Sequence, residues 1–379
     1  MRSLQQESRV AATLVFLPLL YATFTWLLLS PMGRADHVFK ARFGELVLLT
    51  WGVSFAMILL AYLMHLCLVR RPSRPLRELA RDAKTHILAP DQLLARLAPL
   101  VMLAILLNSF SAFKSAIPLI KPFAYDALFA NMDRIIFGTD PWRITHEIFS
   151  SPSATQFLQH SYNLWFVAMW LSVIYASLQT NFRALRAQYL FAFCLCWTLL
   201  GSFAALSLSS AGPCFYGLVA EGPDPFAPLM ENLRLINNLL RKQGSLGVTS
   251  LQVQDALWKG YENSATGTGS GISAMPSLHV ATSVLMARAA FALNRRAGVL
   301  LSLFALVIWI GSVHLGWHYA VDGMVSLPLA LAVWALSGWI VRLIRVVDFP
   351  STERLEALIN RQSQNGEAAP ERIPAPSRA

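Results

Sequence analysis

Eight apolar runs punctuate this chain, at roughly residues 10–30, 46–69, 97–120, 157–178, 189–209, 276–293, 298–317 and 321–341. Each is close to the ~20 residues a helix needs to cross a bilayer. A backbone in lipid must satisfy its own hydrogen bonds, so such runs have to be helical, and interior proline and glycine do not disqualify them. The expected fold class is all-α: a polytopic integral membrane protein with about eight transmembrane helices. Composition agrees, with 14% charged residues against about 25% in a soluble domain. The first run lacks a small-residue cleavage site after it and reads as a retained helix, not a signal peptide.

The net charge of +10 raises nucleic acid as a partner, but the basic residues alternate with apolar runs and form no single stripe. A membrane surface explains them better. Arg70, Arg71, Arg74, Arg77, Arg81, Lys84 and Arg96 crowd the segment between runs two and three. The positive-inside rule makes that side cytoplasmic. Alternation then places Arg183 and Arg186, Arg295 and Arg296, Arg342 and Arg345, and both termini on the same side; the expected location is the plasma (inner) membrane. Residues 1–96 form two helices and a basic cytoplasmic loop, 97–345 a six-helix catalytic domain, and 346–379 a largely disordered cytoplasmic tail. Cys67, Cys194, Cys196 and Cys214 show neither a disulfide framework nor zinc-site spacing.

The opposite, outer side receives the chemistry-bearing residues. His318 and Asp322 are four apart, the spacing that lets a carboxylate hold imidazole Nδ1 and leave Nε2 free to attack. Met275-Pro-Ser-Leu-His279 opens the preceding run. A helix start with proline near its first position is an anion site, to which Ser277 adds a hydroxyl. Alone, His279 reads more readily as an interfacial histidine; with His318 and Asp322 on one membrane face, catalysis is favoured. Lys114 lies within an apolar run, a position that flags function unless it snorkels to the interface. Arg288 reads as snorkelling.

The outer segments carry further signals. Leu229, Leu233, Ile236 and Leu240 recur at helical spacing and predict an amphipathic helix lying on the membrane; residues 251–261 suggest a second. The Gly/Ser/Thr loop 264–273 is a lid or a plain linker. Asp126, Asp133, Arg134, Asp140 and Arg143 read as a salt-bridged structural cap, with headgroup recognition as the alternative. Tyr162 and Asn163 are candidates to face the cavity.

Pro276-Ser-Leu-His279 followed by His318-x-x-x-Asp322 resembles the second and third signatures of the type-2 phosphatidic acid phosphatase superfamily. Lys114-x6-Lys121-Pro122 is similar to the first, with lysine in place of arginine. Ser210 to Tyr216 is similar to the Pro-rich aromatic turn of the branch that includes inositol phosphorylceramide synthases. The resemblance covers roughly residues 97–341. It implies that His318 is a nucleophile forming a phosphohistidine, Asp322 orients it, and His279 is the general acid and base. It implies Lys114, Lys121, Ser277 and Tyr216 as substrate or phosphate ligands, with no metal and no cofactor. The expected substrate is a phospholipid or sphingolipid, and the expected activity inositolphosphotransfer, with lipid phosphate hydrolysis as the alternative. The third signature usually has Ser-Arg seven and six residues before its histidine; here Gly311 and Ser312 stand there, leaving Lys114 or Lys121 to compensate. A reading of another class makes His314, His318 and Asp322 ligands of a metal or haem in a non-catalytic or transport protein. Oligomeric state is not legible in the sequence.

Overall fold

The computed structural model describes residues 2–40, 43–86, 90–179, 182–263 and 271–346. The expected lid segment, apart from residues 271–273, and all but the first residue of the expected tail lie outside them. Among the described residues there is no strand. The helices are α1 (Arg2–Leu29), α2 (Phe43–His65), α3 (Pro75–His86), α4 (Pro90–Ile120), α5 (Asp126–Phe137), α6 (Pro141–Ile148) and α7 (Pro152–Leu178). They continue as α8 (Arg183–Leu195), α9 (Ala227–Lys242), α10 (Thr249–Glu262), α11 (Leu278–Leu293), α12 (Arg295–His314) and α13 (Ala320–Leu343). α8 runs on through a π-helical stretch, Cys196–Ala204, to Ser207.

Helix starts follow their local chemistry. Pro152 enters α7 behind Ser151, whose hydroxyl accepts the Ala154 N–H at 3.1 Å. Asn294 caps α12 through Arg296 and Ala297. Both are side chains that satisfy amides with no partner inside the helix. Among the described residues, seven helical segments are long and apolar enough to cross a membrane. The run expected at 276–293 is shorter: α11 has 16 residues, about 24 Å of helix, below the ~30 Å hydrocarbon thickness. The chain before it is extended and buried instead, with Ala274 N–H on the Ser210 carbonyl at 2.9 Å and Met275 N–H on Ser210 Oγ at 3.2 Å. The start of α11 is therefore surrounded by protein.

α4, α7, α8, α11, α12 and α13 form the bundle, with α11 packed against α12 and α13. α1 joins them closely. It packs along α4, shares one apolar core with the bundle through Val10, Leu14 and Tyr21, and is pinned by Tyr21 to Ser202 at 2.6 Å. At the other end of α1, Glu7 makes a buried ion pair with Arg186, and Arg183 lies 3.5 Å away. α2 packs on α4 and turns most of its side chains outward.

The expected surface helix is corrected. In α9, Leu229, Leu233, Ile236 and Leu240 are all buried in the main core. Its apolar stripe meets protein, because the loop around Gly316 passes against Leu229 and Met230. α10 is likewise a strap over the protein: its buried residues are Ser250 and Gln254, and Gln254 donates to the Leu315 carbonyl at 3.0 Å.

Candidate active site

The site forms where α12 ends and α13 begins. Trp317 and His318 both donate backbone N–H bonds to the Ser312 carbonyl, at 2.9 and 3.2 Å, which folds the link back over the last turn of α12. Gly316, at φ +75°, makes the reversal, a conformation in which a Cβ is strained. Asp322 is fully buried. Its Oδ2 lies 3.1 Å from His318 Nδ1 and also accepts the Tyr319 N–H at 3.1 Å. Capping of α13 and orientation of His318 thus share one oxygen. Asp322 Oδ1 is buried with no hydrogen-bond partner.

Two further aspartates anchor this corner. Asp133 accepts the N–H groups of Ala320 and Val321 at 2.7 and 2.8 Å, filling the start of α13. Asp126 accepts from Ala211, from Gly212 at 2.8 Å and from the Tyr319 hydroxyl at 2.8 Å. Gly212 passes so close to the His318 loop that a Cβ there would sit 2.7 Å from the Trp317 carbonyl oxygen. The cap expected from the mixed-charge set is therefore only partly ionic. Arg134 and Arg143 pair with Asp140 at 2.7 and 3.5 Å, while Asp126 and Asp133 bind backbone and tyrosine. Burial raises both carboxyls, Asp133 up to about 7 despite its two N–H donors. Sequence reasoning missed these anchoring roles; the available signal was aspartate at positions 126 and 133, seven apart on one helix face.

His279 enters from the first turn of α11, its ring 6.2 Å from that of His318. Trp165 lies 4.0 Å from it, Tyr162 stacks on it at 4.5 Å and Phe166 lies at 5.9 Å. Trp165 is fixed by its N–H on Thr282 at 3.0 Å. His279 Nε2 and the Tyr162 hydroxyl are buried and have no hydrogen-bond partner. Both histidines open into a cavity of about 430 Å³, also lined by Lys114, Tyr162, Asn163 and Trp317. Lys114, expected in the site, is thus brought to it.

Three expected ligands lie elsewhere. Ser277 caps α11 by accepting the Val280 N–H at 3.4 Å and is absent from the cavity wall. Lys121 donates to the Ser207 carbonyl at 2.6 Å and to the Tyr125 hydroxyl at 3.1 Å, tying two chain ends together. Tyr216 is buried against Phe226 at 5.3 Å. Where the signature arginine would stand, Ser312 is fully buried and donates to the Trp309 carbonyl at 2.7 Å.

The metal or haem ligand set is not assembled. Residues at i, i+4 and i+8 share a face only on a continuous helix, and here α12 stops at His314 while α13 starts at Ala320. His314 instead stacks on His146 at 3.9 Å and bonds Thr155 at 2.9 Å. Among the described residues no group of three or more His, Cys, Asp or Glu converges to hold a metal ion.

The fold is that of an all-α integral membrane protein, with two histidines beside a cavity of about 430 Å³ and a buried aspartate behind one of them. The chain belongs to the PAP2 superfamily: that family's model matches residues 128–336, more than half of its length. It is accordingly a lipid enzyme of the phosphatase or phosphotransferase type. The match contains His279, His318, Asp322 and Asp133, and stops short of Lys114 and Lys121. Comparison with curated proteins and with solved structures finds no match.

Proposed function

We propose that this enzyme is an inositolphosphotransferase that moves a phosphoinositol group between membrane lipids through a phosphohistidine on His318. His318 Nε2 attacks the phosphorus of a lipid phosphodiester. The bond to the diacylglycerol oxygen breaks, and that oxygen takes a proton from His279. In the second half-reaction the acceptor hydroxyl gives its proton to His279 as its oxygen displaces His318. Asp322 keeps Nδ1 protonated and stabilises the cationic ring in both steps.

The observation that carries the transfer reading is the charge of the cavity. Lys114 is the sole lysine or arginine on its wall among the described residues. A phosphomonoester carries close to two negative charges near neutral pH; a diester carries one. A single fixed cation suits the diester, and the loss of the signature arginine at position 312 fits the same substrate. Aromatic walls formed by Trp165, Phe166 and Trp317 also limit water at the intermediate. No metal or cofactor enters this scheme. The basic residues at the far end of the bundle support an active site on the outer, periplasmic or lumenal face, with cytoplasmic termini.

The test is turnover in vesicles containing labelled phosphatidylinositol, with and without a hydroxyl-bearing sphingolipid acceptor. A new inositol-phosphate lipid and released diacylglycerol are expected, with an inositol-phosphoryl group on a histidine that His318→Ala abolishes. Preferential release of inorganic phosphate from phosphatidic acid would replace transfer with hydrolysis. An active His318→Ala protein would overturn both.

A further inference from the structure

The cavity is larger than two histidines and a phosphate require, and its polarity is uneven. Its polar groups, Lys114, Asn163, Ser250, His279 and His318, gather at one end. The wall then continues along three helices toward the bundle interior. On α4 it runs from Lys114 down to Leu107, and on α7 from Tyr162 down to Trp170. Seven and eight residues of helix correspond to about 10 and 12 Å. The continuation of α8 supplies the third wall, from Ala205 to Trp197. Over this depth every lining side chain below Lys114 and Asn163 is apolar or aromatic, apart from Ser111.

The width of this arm is set by small residues. Ala205 and Gly201 face it from the π-helical stretch and its end. A Cβ on Gly201 would lie 2.7 Å from Leu278 and 2.8 Å from Phe110, so the glycine lets the α8 continuation pack directly against those two lining side chains. Trp170, Trp197 and Leu107 are the lining residues farthest from the histidines along their helices, and Phe110 braces Trp197 edge-on at 4.7 Å.

We propose that this arm holds one hydrocarbon chain of the lipid whose phosphate sits at His318, and that Trp170 and Trp197 form the floor that selects its length. The inference rests on the phosphoryl-transfer reading for the identity of the headgroup, not for the presence of the chain. A narrow apolar arm, continuous with a cationic and imidazole-bearing mouth, has the charge distribution of a single lipid tail below its head. A chain drawn from the bilayer is already out of water, so packing against the walls and floor of the arm, and not hydrophobic transfer, decides which length is bound best.

Two measurements test this. The first uses donors of one headgroup and graded chain length in vesicles. Wild type should show an optimum length, and Trp170→Ala should move it up by two or more carbons. An equal loss at all lengths would show a packing role only and overturn the assignment. The second uses a phospholipid with a photoreactive diazirine at the chain end, incubated with the His318→Ala protein. Adducts are expected on peptides containing Trp170 or Trp197 whether or not the protein turns over. Adducts confined to outward-facing residues, such as Leu164 or Leu171, would overturn the arm even if the chemistry at His318 stands; adducts at the floor together with a wild-type protein that shows no turnover would sink the chemistry alone.

Discussion

The corner that starts α13 and the cavity beside it differ in how their polar atoms are partnered. At the corner, Asp126 and Asp133 accept bonds from Ala211, Gly212, Tyr319, Ala320 and Val321. In the cavity, His279 Nε2 and the Tyr162 hydroxyl have none, and Asp322 Oδ1 is unpaired just behind His318. An unpaired buried polar atom costs about 1–3 kcal/mol, so a fold keeps one where a substrate will supply the partner. The carboxylates at the corner are fully engaged in holding the chain, while the cavity keeps groups free to meet a bound molecule. Asp322 belongs to both, with one oxygen used twice and one unused.

That double role gives the largest expected effect. Asp322→Asn preserves the cap on Tyr319 but allows the amide to face His318 and select the wrong tautomer. The corresponding change in a serine-protease triad lowers turnover by about 10⁴, and a loss on the order of 10²–10⁴ in kcat is expected here with little change in melting temperature. Turnover near wild type would reduce Asp322 to a helix cap and dissolve the contrast between the two regions.

The scaffold side predicts the opposite pattern. Asp133→Ala strips two buried N–H groups at the start of α13 of their acceptor, for an expected loss of about 2–4 kcal/mol of stability. The protein that remains folded should keep its KM. Unchanged thermal stability with a collapsed kcat would instead place Asp133 in the chemistry.

A smaller effect follows from titration. Burial lifts Asp133 from 3.8 to about 7, so the folded protein binds this proton more tightly than the unfolded chain does. The stability it contributes is full below about pH 4 and is lost as pH rises to about 7. The melting temperature of wild type should therefore fall across that window relative to Asp133→Asn, which does not titrate. A difference independent of pH would mean that the two N–H donors hold the carboxylate as readily as water does.

The smallest expected change is at Tyr162. Tyr162→Phe removes an unpartnered hydroxyl while keeping the ring stacked on His279, so stability should hold or rise slightly. If the hydroxyl meets the substrate, KM should rise by less than about tenfold with kcat nearly unchanged. No kinetic change at all would mean that the Tyr162 hydroxyl does not meet the substrate.

The bundle was legible because length and apolarity are properties of a segment on its own: about 20 apolar residues have few alternatives in lipid. His279, His318 and Asp322 were legible for a related reason. Spacing of four within one turn, and proximity to the ends of neighbouring runs, are consequences of local geometry. α11 was found where expected but starts two residues later, because the residues before it are held by Ser210 and its neighbours, a contact between segments 65 residues apart. α9 shows the same limit: an amphipathic stripe requires an apolar neighbour, yet only packing decided that the neighbour was the core and not the membrane. Tertiary structure alone also separated Lys114 from Lys121, seven residues apart on nearly the same helix. One faces the cavity with the histidines, while the other is held by Ser207 and Tyr125. A side chain's chemistry is written in the sequence, but which partners satisfy it depends on what the rest of the chain brings within 3 Å.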